Sequence, residues 1–94
     1  MKRVTWNSEK AALIRADKAR GNVGFGECAI AIEQNDILAQ LPNPNFSNQQ
    51  VLVLKIYNYA YAVPFVETED EIFLKTVFPS RKYAAQYLTP KHHG

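Results

Sequence analysis

Lysine and arginine, the residue types that can bind phosphates, are concentrated at the two ends of the 94-residue sequence. Residues 1–20 hold six Lys or Arg and two acids, which leaves +4, and residues 75–94 hold four Lys or Arg and no acid, again +4. Residues 21–74 hold one lysine and seven acids, which leaves −6. A fold that brings the two ends together would form a positive patch able to bind phosphates. Two ordinary solvated faces would give the same pattern, and this alternative stays open.

A patch of this kind has groups suited to one reaction in particular, the attack of a ribose 2′-hydroxyl on the adjacent phosphate of RNA. That reaction needs a proton acceptor, a proton donor and stabilisation of the negative charge that develops on the phosphate. Arg81 is the first candidate to stabilise this charge, because a guanidinium can hold two phosphate oxygens at once. Lys75, Lys82 and Arg15 are the other candidate catalytic residues.

Five further residues are candidates for RNA binding. Lys10 and Lys18 could hold backbone phosphates. Tyr61, Tyr83 and Tyr87 could stack on bases or, with lowered pKa values, transfer protons. For each tyrosine, a structural role in the sheet or at a helix interface is the alternative.

Other groups with potential chemistry are assigned structural or solvated roles. The two histidines, His92 and His93, adjoin the final glycine, where a loose tail cannot hold a catalytic geometry. Cys28 lies at helical spacing among apolar residues and is expected to be a small buried side chain rather than a nucleophile. The acidic turn at residues 67–71 lacks the glycine and the spacing of a calcium loop. Neither a metal nor a cofactor is therefore expected.

Cysteine content and hydropathy predict the compartment. A lone cysteine cannot form an internal disulfide, and no apolar leader precedes Trp6. The longest apolar stretch, Tyr59 to Val66, is far shorter than the roughly 20 residues that a membrane helix needs. A cytoplasmic protein without a membrane span is the expectation.

The residue pattern predicts one α+β domain over residues 1–94, with two N-terminal helices packed on a twisted antiparallel sheet of three to five strands and a short C-terminal helix. Asn7 or Ser8 would cap a first helix that runs to about Arg20, and Gly24 would begin a second, shorter helix. Ser80 would cap the last helix, and residues 89–94 would form a flexible tail. The strand-like runs cover residues 2–6, 36–41, 51–57, 59–66 and 72–78.

Regular alternation in the last of these runs assigns its side chains to two faces. Leu74, Thr76 and Phe78 would share one face, and Lys75 and Val77 would share the other. Lys75 would then project from an otherwise apolar face, so that its ammonium group must reach solvent or a partner.

Three fragments carry a more specific pattern: Trp6-Asn7 before a lysine-containing helix, GNVGFGE at residues 21–27, and KTVFPSRK at residues 75–82. Their order resembles that of the BrnT-like toxins, which belong to the RelE-like ribonuclease group. The resemblance covers about Val4 to Leu88 and is sharpest at residues 79–82, where the sequence is PSRK. Gly24 departs from the pattern, because the family commonly has a Ser or Thr cap there.

This resemblance implies a RelE-like fold and a metal-independent endoribonuclease toxin that cleaves mRNA and inhibits translation and growth. It implies RNA as substrate, on or off the ribosome, and a cognate antitoxin that is dimeric and binds DNA. The alternative is a non-catalytic module that binds an antitoxin or nucleic acid on the same fold. The two hypotheses differ in whether Arg81, Lys75 and Arg15 converge in one groove beside a proton-transfer group.

Overall fold

A mixed sheet of six strands forms the centre of the structure, a computed structural model that describes residues 2–17 and 22–88. The strands are β1 (Arg3–Trp6), β2 (Ile37–Pro42), β3 (Gln50–Ile56), β4 (Tyr59–Glu67), β5 (Glu71–Leu74) and β6 (Phe78–Pro79). The helices are α1 (Ser8–Ala16), α2 (Phe25–Glu33) and α3 (Arg81–Tyr87). Residues 89–94, predicted to be a flexible tail, lie outside the described residues.

The strand order is β1-β5-β4-β3-β2, and β6 continues beside β4. Strands β2 to β6 pair antiparallel, as expected, but β1 runs parallel to β5. The α+β class is therefore confirmed, whereas the prediction of a purely antiparallel sheet of three to five strands is wrong. A parallel pair requires a long crossover, and the segment between β1 and β5, with α1, α2 and the β2–β4 meander, supplies it.

Two apolar layers cover the two faces of this sheet. On the first, which we call the α1/α2 face, Ile14, Phe25 and Cys28 pack against the buried side chains of β3 and β4. On the opposite α3 face, Tyr83 and Tyr87 pack over a second, smaller cluster. The helices thus divide two against one across the sheet. Buried members of the smaller cluster are Val51, Val53, Ala60 and Ala62.

Helix α1 begins where the sequence predicts and ends earlier. The Asn7 side chain caps it, with Oδ1 accepting a hydrogen bond from the Lys10 backbone N–H at 3.0 Å. The helix stops at Ala16, and Asp17 has an extended backbone, so the predicted end near Arg20 is wrong. Lys18–Gly21 lie outside the described residues. Ile14 is the one buried side chain of α1, which gives a short helix little apolar area to hold a further turn.

Helix α2 lacks a side-chain N-cap because Gly24 precedes it. The carboxylate of Glu27, in the first turn, makes a different hydrogen bond at this end of the helix. Glu27 reaches back so that its Oε1 accepts the Gly24 backbone N–H at 2.8 Å. This is the returning half of a capping box. Phe25, Cys28 and Ala31 form the buried stripe of the helix. Glu27 thus satisfies the N–H of the N-cap residue, whereas the bond from a first-turn N–H to a Ser or Thr cap, which the resemblance would place there, is missing.

Strands β3 and β4 form an antiparallel hairpin at two of the predicted strand-like runs. Tyr57 and Asn58 both have positive φ, 51° and 63°, which is the backbone of a two-residue type I′ turn. Asparagine tolerates this conformation better than most residues. The register pairs Ile56 with Tyr59 and runs to Gln50 beside Phe65.

The predicted strand 72–78 is interrupted. Leu74 pairs with Phe65 and Phe78 pairs with Ala62, so three steps along β4 correspond to four steps on the partner segment. One extra residue is therefore inserted between β5 and β6, as in a β-bulge. The Lys75 N–H donates to the Pro64 carbonyl at 2.8 Å, but Pro64 has no N–H to return. The pairing breaks at the point where this donor is missing.

The inserted residue changes which side chains share a face. Val77 is buried with Leu74 on the α1/α2 face, while Lys75, Thr76 and Phe78 line the opposite surface. The regular alternation predicted for residues 72–78 is therefore wrong at Thr76, Val77 and Phe78. The expectation that Lys75 reaches solvent is confirmed, since its side chain is exposed.

Burial predicts the stability of two phenylalanine variants. Phe25 is 2% exposed and stacks on Trp6 with ring centroids 5.7 Å apart, whereas Phe46 is 56% exposed on a loop. Phe25→Ala should lower the free energy of unfolding by about 3–5 kcal/mol, because it opens a cavity in the core. Phe46→Ala should change it by less than about 0.5 kcal/mol. Urea denaturation measures both; equal losses would show that Phe46 is part of the packed structure.

Candidate functional site

A groove of about 560 Å³ lies on the α3 face of the sheet. We call it the lysine groove, because Lys10, Lys75 and Lys82 all line it, and they do so from three different elements of the chain. No Asp or Glu belongs to the described residues around it. The other polar and aromatic lining residues are Asn43, Asn45, Phe46, Gln49, Thr76, Phe78, Ser80 and Tyr83, and the apolar ones are Pro44, Val51, Ala62 and Pro64.

Lys75 is positioned by its place directly after Leu74, the last residue of β5, whose side chain is in the core on the other face. Its N–H is fixed on Pro64, so the side chain starts from an anchored backbone. Its Nζ lies 5.3 Å from the centroid of the Phe73 ring, which is within cation–π range. The exposed ammonium group is thus directed over the α3 face instead of into the core.

Lys82 and Tyr83 are positioned by the corner at Pro79-Ser80. The Ser80 N–H donates to the Ala60 carbonyl at 3.0 Å, and Ser80 Oγ accepts the Tyr83 N–H at 3.1 Å. Ser80 is therefore the predicted cap of α3, and it also ties the start of that helix to β4. The Nζ of Lys82 lies 5.6 Å from the centroid of the Tyr83 ring. A cation and a phenol are thus adjacent on one wall.

Lys10 enters the groove from the other end of the chain. Strand β1 ends at Trp6, beside Leu74 of β5, so the first turn of α1 follows at the level where β5 stops. Lys10 belongs to this turn and is half-buried. Among the described basic residues of the N-terminal segment, this lysine is the one that lines the groove with Lys75 and Lys82.

Several predicted site residues lie elsewhere. Arg15 lines a separate pocket of about 310 Å³ with Asn22 and Glu27. Arg81 is exposed at the first position of α3, but it is not among the residues that line the groove. Lys18 lies outside the described residues. The structure therefore does not bring Arg81, Lys75 and Arg15 together in one groove.

The three predicted tyrosines have different surroundings. Tyr61 is 5% exposed within the core on the α1/α2 face, and this burial raises its pKa, with smaller contributions from Tyr59 and Tyr57. A buried phenol with a raised pKa suits neither base stacking nor proton transfer near neutral pH. Tyr87 is half-buried against the α3-side cluster, with its ring centroid 6.1 Å from that of Tyr83. Only Tyr83 of the three lines the groove.

Two ion pairs between described residues account for other basic groups near the N-terminus. Lys2 pairs with Glu67 at 2.6 Å, and Arg3 pairs with Glu71 at 2.9 Å. Both join β1 to the acidic turn between β4 and β5, so these two cations stabilise a strand pairing at the sheet edge. Neither pair involves a lysine of the groove. The positive patch is consequently smaller than the charge count at the two chain ends suggests.

The acidic turn itself is held by short-range bonds. Thr68 Oγ1 accepts the backbone N–H groups of Asp70 and Glu71 at 3.3 and 3.1 Å.

Within residues 2–17 and 22–88, no three His, Cys, Asp or Glu side chains form a group that could hold a metal ion. In the same ranges, no helix has both the length and the apolar content needed to cross a membrane.

Phe46 and Phe78 are groove residues that the sequence-based prediction missed. Phe46 lies in residues 42–48, a stretch dense in turn formers that predicts only a surface loop. Phe78 was expected at a regular strand position, and only the bulge brings it to the groove. A single aromatic residue within a run of turn formers was the one available signal for Phe46.

No protein-family model matches the chain, and neither a curated protein nor a solved structure is significantly similar to it. The groove geometry is therefore the main basis for a functional proposal.

The burial of Cys28 predicts that its thiol is unreactive in the folded protein. The thiol is fully buried in α2, and desolvation, aided by the charge of Glu27, raises its pKa to about 12. A raised pKa keeps the neutral thiol at every pH below that value, and the thiolate is the reactive form. At pH about 8.5, the ordinary pKa of a cysteine, the folded protein should resist iodoacetamide while the urea-unfolded chain reacts readily. Equal rates in the two states would show that Cys28 is accessible.

Proposed function

We propose that this chain is a ribonuclease toxin of a toxin–antitoxin system, which cleaves mRNA in the cytoplasm without a metal ion and so inhibits translation and growth. The observation that carries the proposal is the convergence of Lys10, Lys75 and Lys82 in one groove without a carboxylate among its described lining residues. A site of this charge attracts the negatively charged phosphate backbone of a nucleic acid and repels positively charged ligands.

The chemistry assigned to these residues is electrostatic first. Attack of the 2′-hydroxyl places extra negative charge on the phosphate. We place this phosphate in the lysine groove, where Lys75 and Lys82 supply positive charge that stabilises it. Arg81 precedes Lys82 and is exposed, so we assign it to the neighbouring phosphate, where its guanidinium can hold two oxygens. Tyr83, next to Lys82, is the candidate proton-transfer group.

The RelE-like and BrnT-like resemblance gives independent support. Its sharpest fragment, residues 79–82, forms the corner from which Lys82 enters the groove. The KTVFPSRK fragment as a whole also contributes Lys75 and Phe78 to the same walls. The fragment that carries the resemblance therefore supplies two of the three lysines of the groove.

A second candidate function is a non-catalytic module that binds nucleic acid or an antitoxin on the same surface. The observation that favours it is that the groove contains few groups able to transfer a proton. Apart from lysines, Tyr83 is the only titratable side chain among the described residues lining the groove. Arg15, which the catalytic hypothesis would place there, lines another pocket. Binding without cleavage needs only the lysines.

Induction of the protein in bacteria tests the proposal. The wild-type chain should arrest growth, and Lys75→Ala and Lys82→Ala should each relieve the arrest, because loss of one well-placed charged donor costs on the order of 10²–10³ in rate. Lys55→Ala is the matched control, since Lys55 is also exposed but lies outside the groove. Circular dichroism checks that each variant folds. Normal growth with folded wild-type protein, together with retained RNA binding, would favour the second candidate.

A cognate antitoxin is the expected partner, and lysine footprinting of its complex gives a second test. We expect the product of an adjacent gene, a dimeric DNA-binding protein, to copurify and to cover the groove with an acidic or amphipathic segment. Amine-reactive labelling should then fall at Lys75 and Lys82 while Lys55 stays reactive. A stable complex in which Lys75 and Lys82 label as fast as in the free protein would contradict this mode of neutralisation.

A further inference from the structure

The loop between β2 and β3, residues 43–49, which we call the Asn loop, contributes part of the groove lining. Phe46 lies on this loop with 56% of its surface exposed, and it lines the groove. An exposed aromatic ring on a loop contributes little to the core. Asn43, Asn45 and Gln49 line the groove beside it.

The Asn loop is held in shape by its own hydrogen bonds. Its ends are joined by the Asn43 N–H, which donates to the Gln49 carbonyl at 3.2 Å, and by the Asn43 amide, which donates to Gln49 Oε1 at 3.3 Å. The Gln49 N–H donates to the Phe46 carbonyl at 3.0 Å, and the Asn45 N–H donates to Asn43 Oδ1 at 2.9 Å. Phe46 is therefore presented from an ordered backbone, which lowers the entropic cost of binding.

The side-chain amides of the loop differ in whether they already hydrogen-bond within the protein. Asn43 and Gln49 hydrogen-bond to each other. The Asn45 side chain makes no hydrogen bond to another described residue and lies next to Phe46 in the groove wall. An amide has both donors and an acceptor, so it can pair with the edge of any unpaired base.

These features match the two parts of a nucleotide. The lining of the groove includes three cations for phosphates, and the Asn loop adds an exposed aromatic face and an amide. Single-stranded nucleic acids are bound by this combination, with bases stacked on aromatic rings while the backbone follows a positive surface. A base-paired duplex does not offer its base faces in this way.

We propose that the Asn loop is the nucleobase-binding wall of the lysine groove: Phe46 stacks on an unpaired base, and Asn45 hydrogen-bonds to the edge of that base. This inference rests on the proposed function, because it takes RNA as the ligand. It goes further in naming single-stranded RNA as the substrate class and in separating base recognition from phosphate binding.

Oligonucleotides with and without bases separate the two walls. The probes are a short fluorescein-labelled RNA, 2′-O-methylated so that it cannot be cleaved, and an abasic oligomer of the same length and charge. Fluorescence anisotropy measures the affinity of each for wild type, Phe46→Ala, Phe46→Trp, Phe46→Leu and Lys75→Ala. Leu13→Ala serves as the control for loss of an exposed apolar side chain, because Leu13 is 69% exposed on α1, outside the groove.

Phe46→Ala and Phe46→Leu should weaken binding of the RNA about 5- to 150-fold, the range for loss of one stacked base, and leave the abasic oligomer unchanged. Phe46→Trp should retain affinity, and Leu13→Ala should have no effect. Lys75→Ala should weaken both oligomers alike. The inference is overturned, with the proposed function intact, if Phe46→Ala binds RNA like wild type or weakens both oligomers equally. Failure of the wild type to bind RNA at all would instead remove the proposed function and this inference with it.

Discussion

Pro64 cannot return the hydrogen bond that it accepts from Lys75, and the arrangement of the groove depends on this missing donor. In an uninterrupted strand, residues 72–78 would alternate strictly, and Val77 would share the face of Lys75. The break inserts one residue between β5 and β6, so that Leu74 and Val77 both enter the core. Lys75, Thr76 and Phe78 are left on the opposite surface. Lys75 would face this surface in a regular strand as well, so what the break adds to the groove is Thr76 and Phe78.

The basic residues perform two distinct tasks as a result. Lys2 and Arg3 pair with Glu67 and Glu71 and hold β1 in parallel register beside β5. Exposed pairs of this kind contribute little stability each, typically below about 1 kcal/mol. Their main effect is to cancel charge at one edge of the sheet. Lys10, Lys75 and Lys82 retain the positive charge on the α3 side, and this is where a polyanion would be drawn.

Local features of the chain were predictable from sequence because their causes are local. Asn7 and Ser80 cap their helices, and Asn58 forms the β3–β4 turn, since each acts on backbone within a few residues. The end of α1 was misjudged because alanines favour helix in isolation, whereas only Ile14 of this helix is buried. Tertiary packing decided where the helix stops.

Errors about the site have a different origin. The break after β5 is caused by Pro64 on the neighbouring strand, so nothing within residues 72–78 reveals it. Arg81 and Lys82 are adjacent in sequence, yet one helical step of about 100° separates their directions, and only Lys82 lines the groove. Tyr61 is buried because its position in β4 faces α1 and α2. Such directions follow from the pairing of strands far apart in the chain, which composition and spacing do not specify.

The central claim, that RNA binds on the α3 face between the lysines and the Asn loop, can be tested by ultraviolet crosslinking of the purified protein to a uridine-rich single-stranded RNA, followed by mass spectrometry of the crosslinked peptides. RNA in the lysine groove should crosslink to Phe46, Phe78 or Tyr83, and excess heparin should abolish these crosslinks. Tyr57 is an internal reference, since it is 68% exposed at the tip of the β3–β4 hairpin and outside the groove. Crosslinks at Tyr57 with none at the three groove residues would contradict the claim.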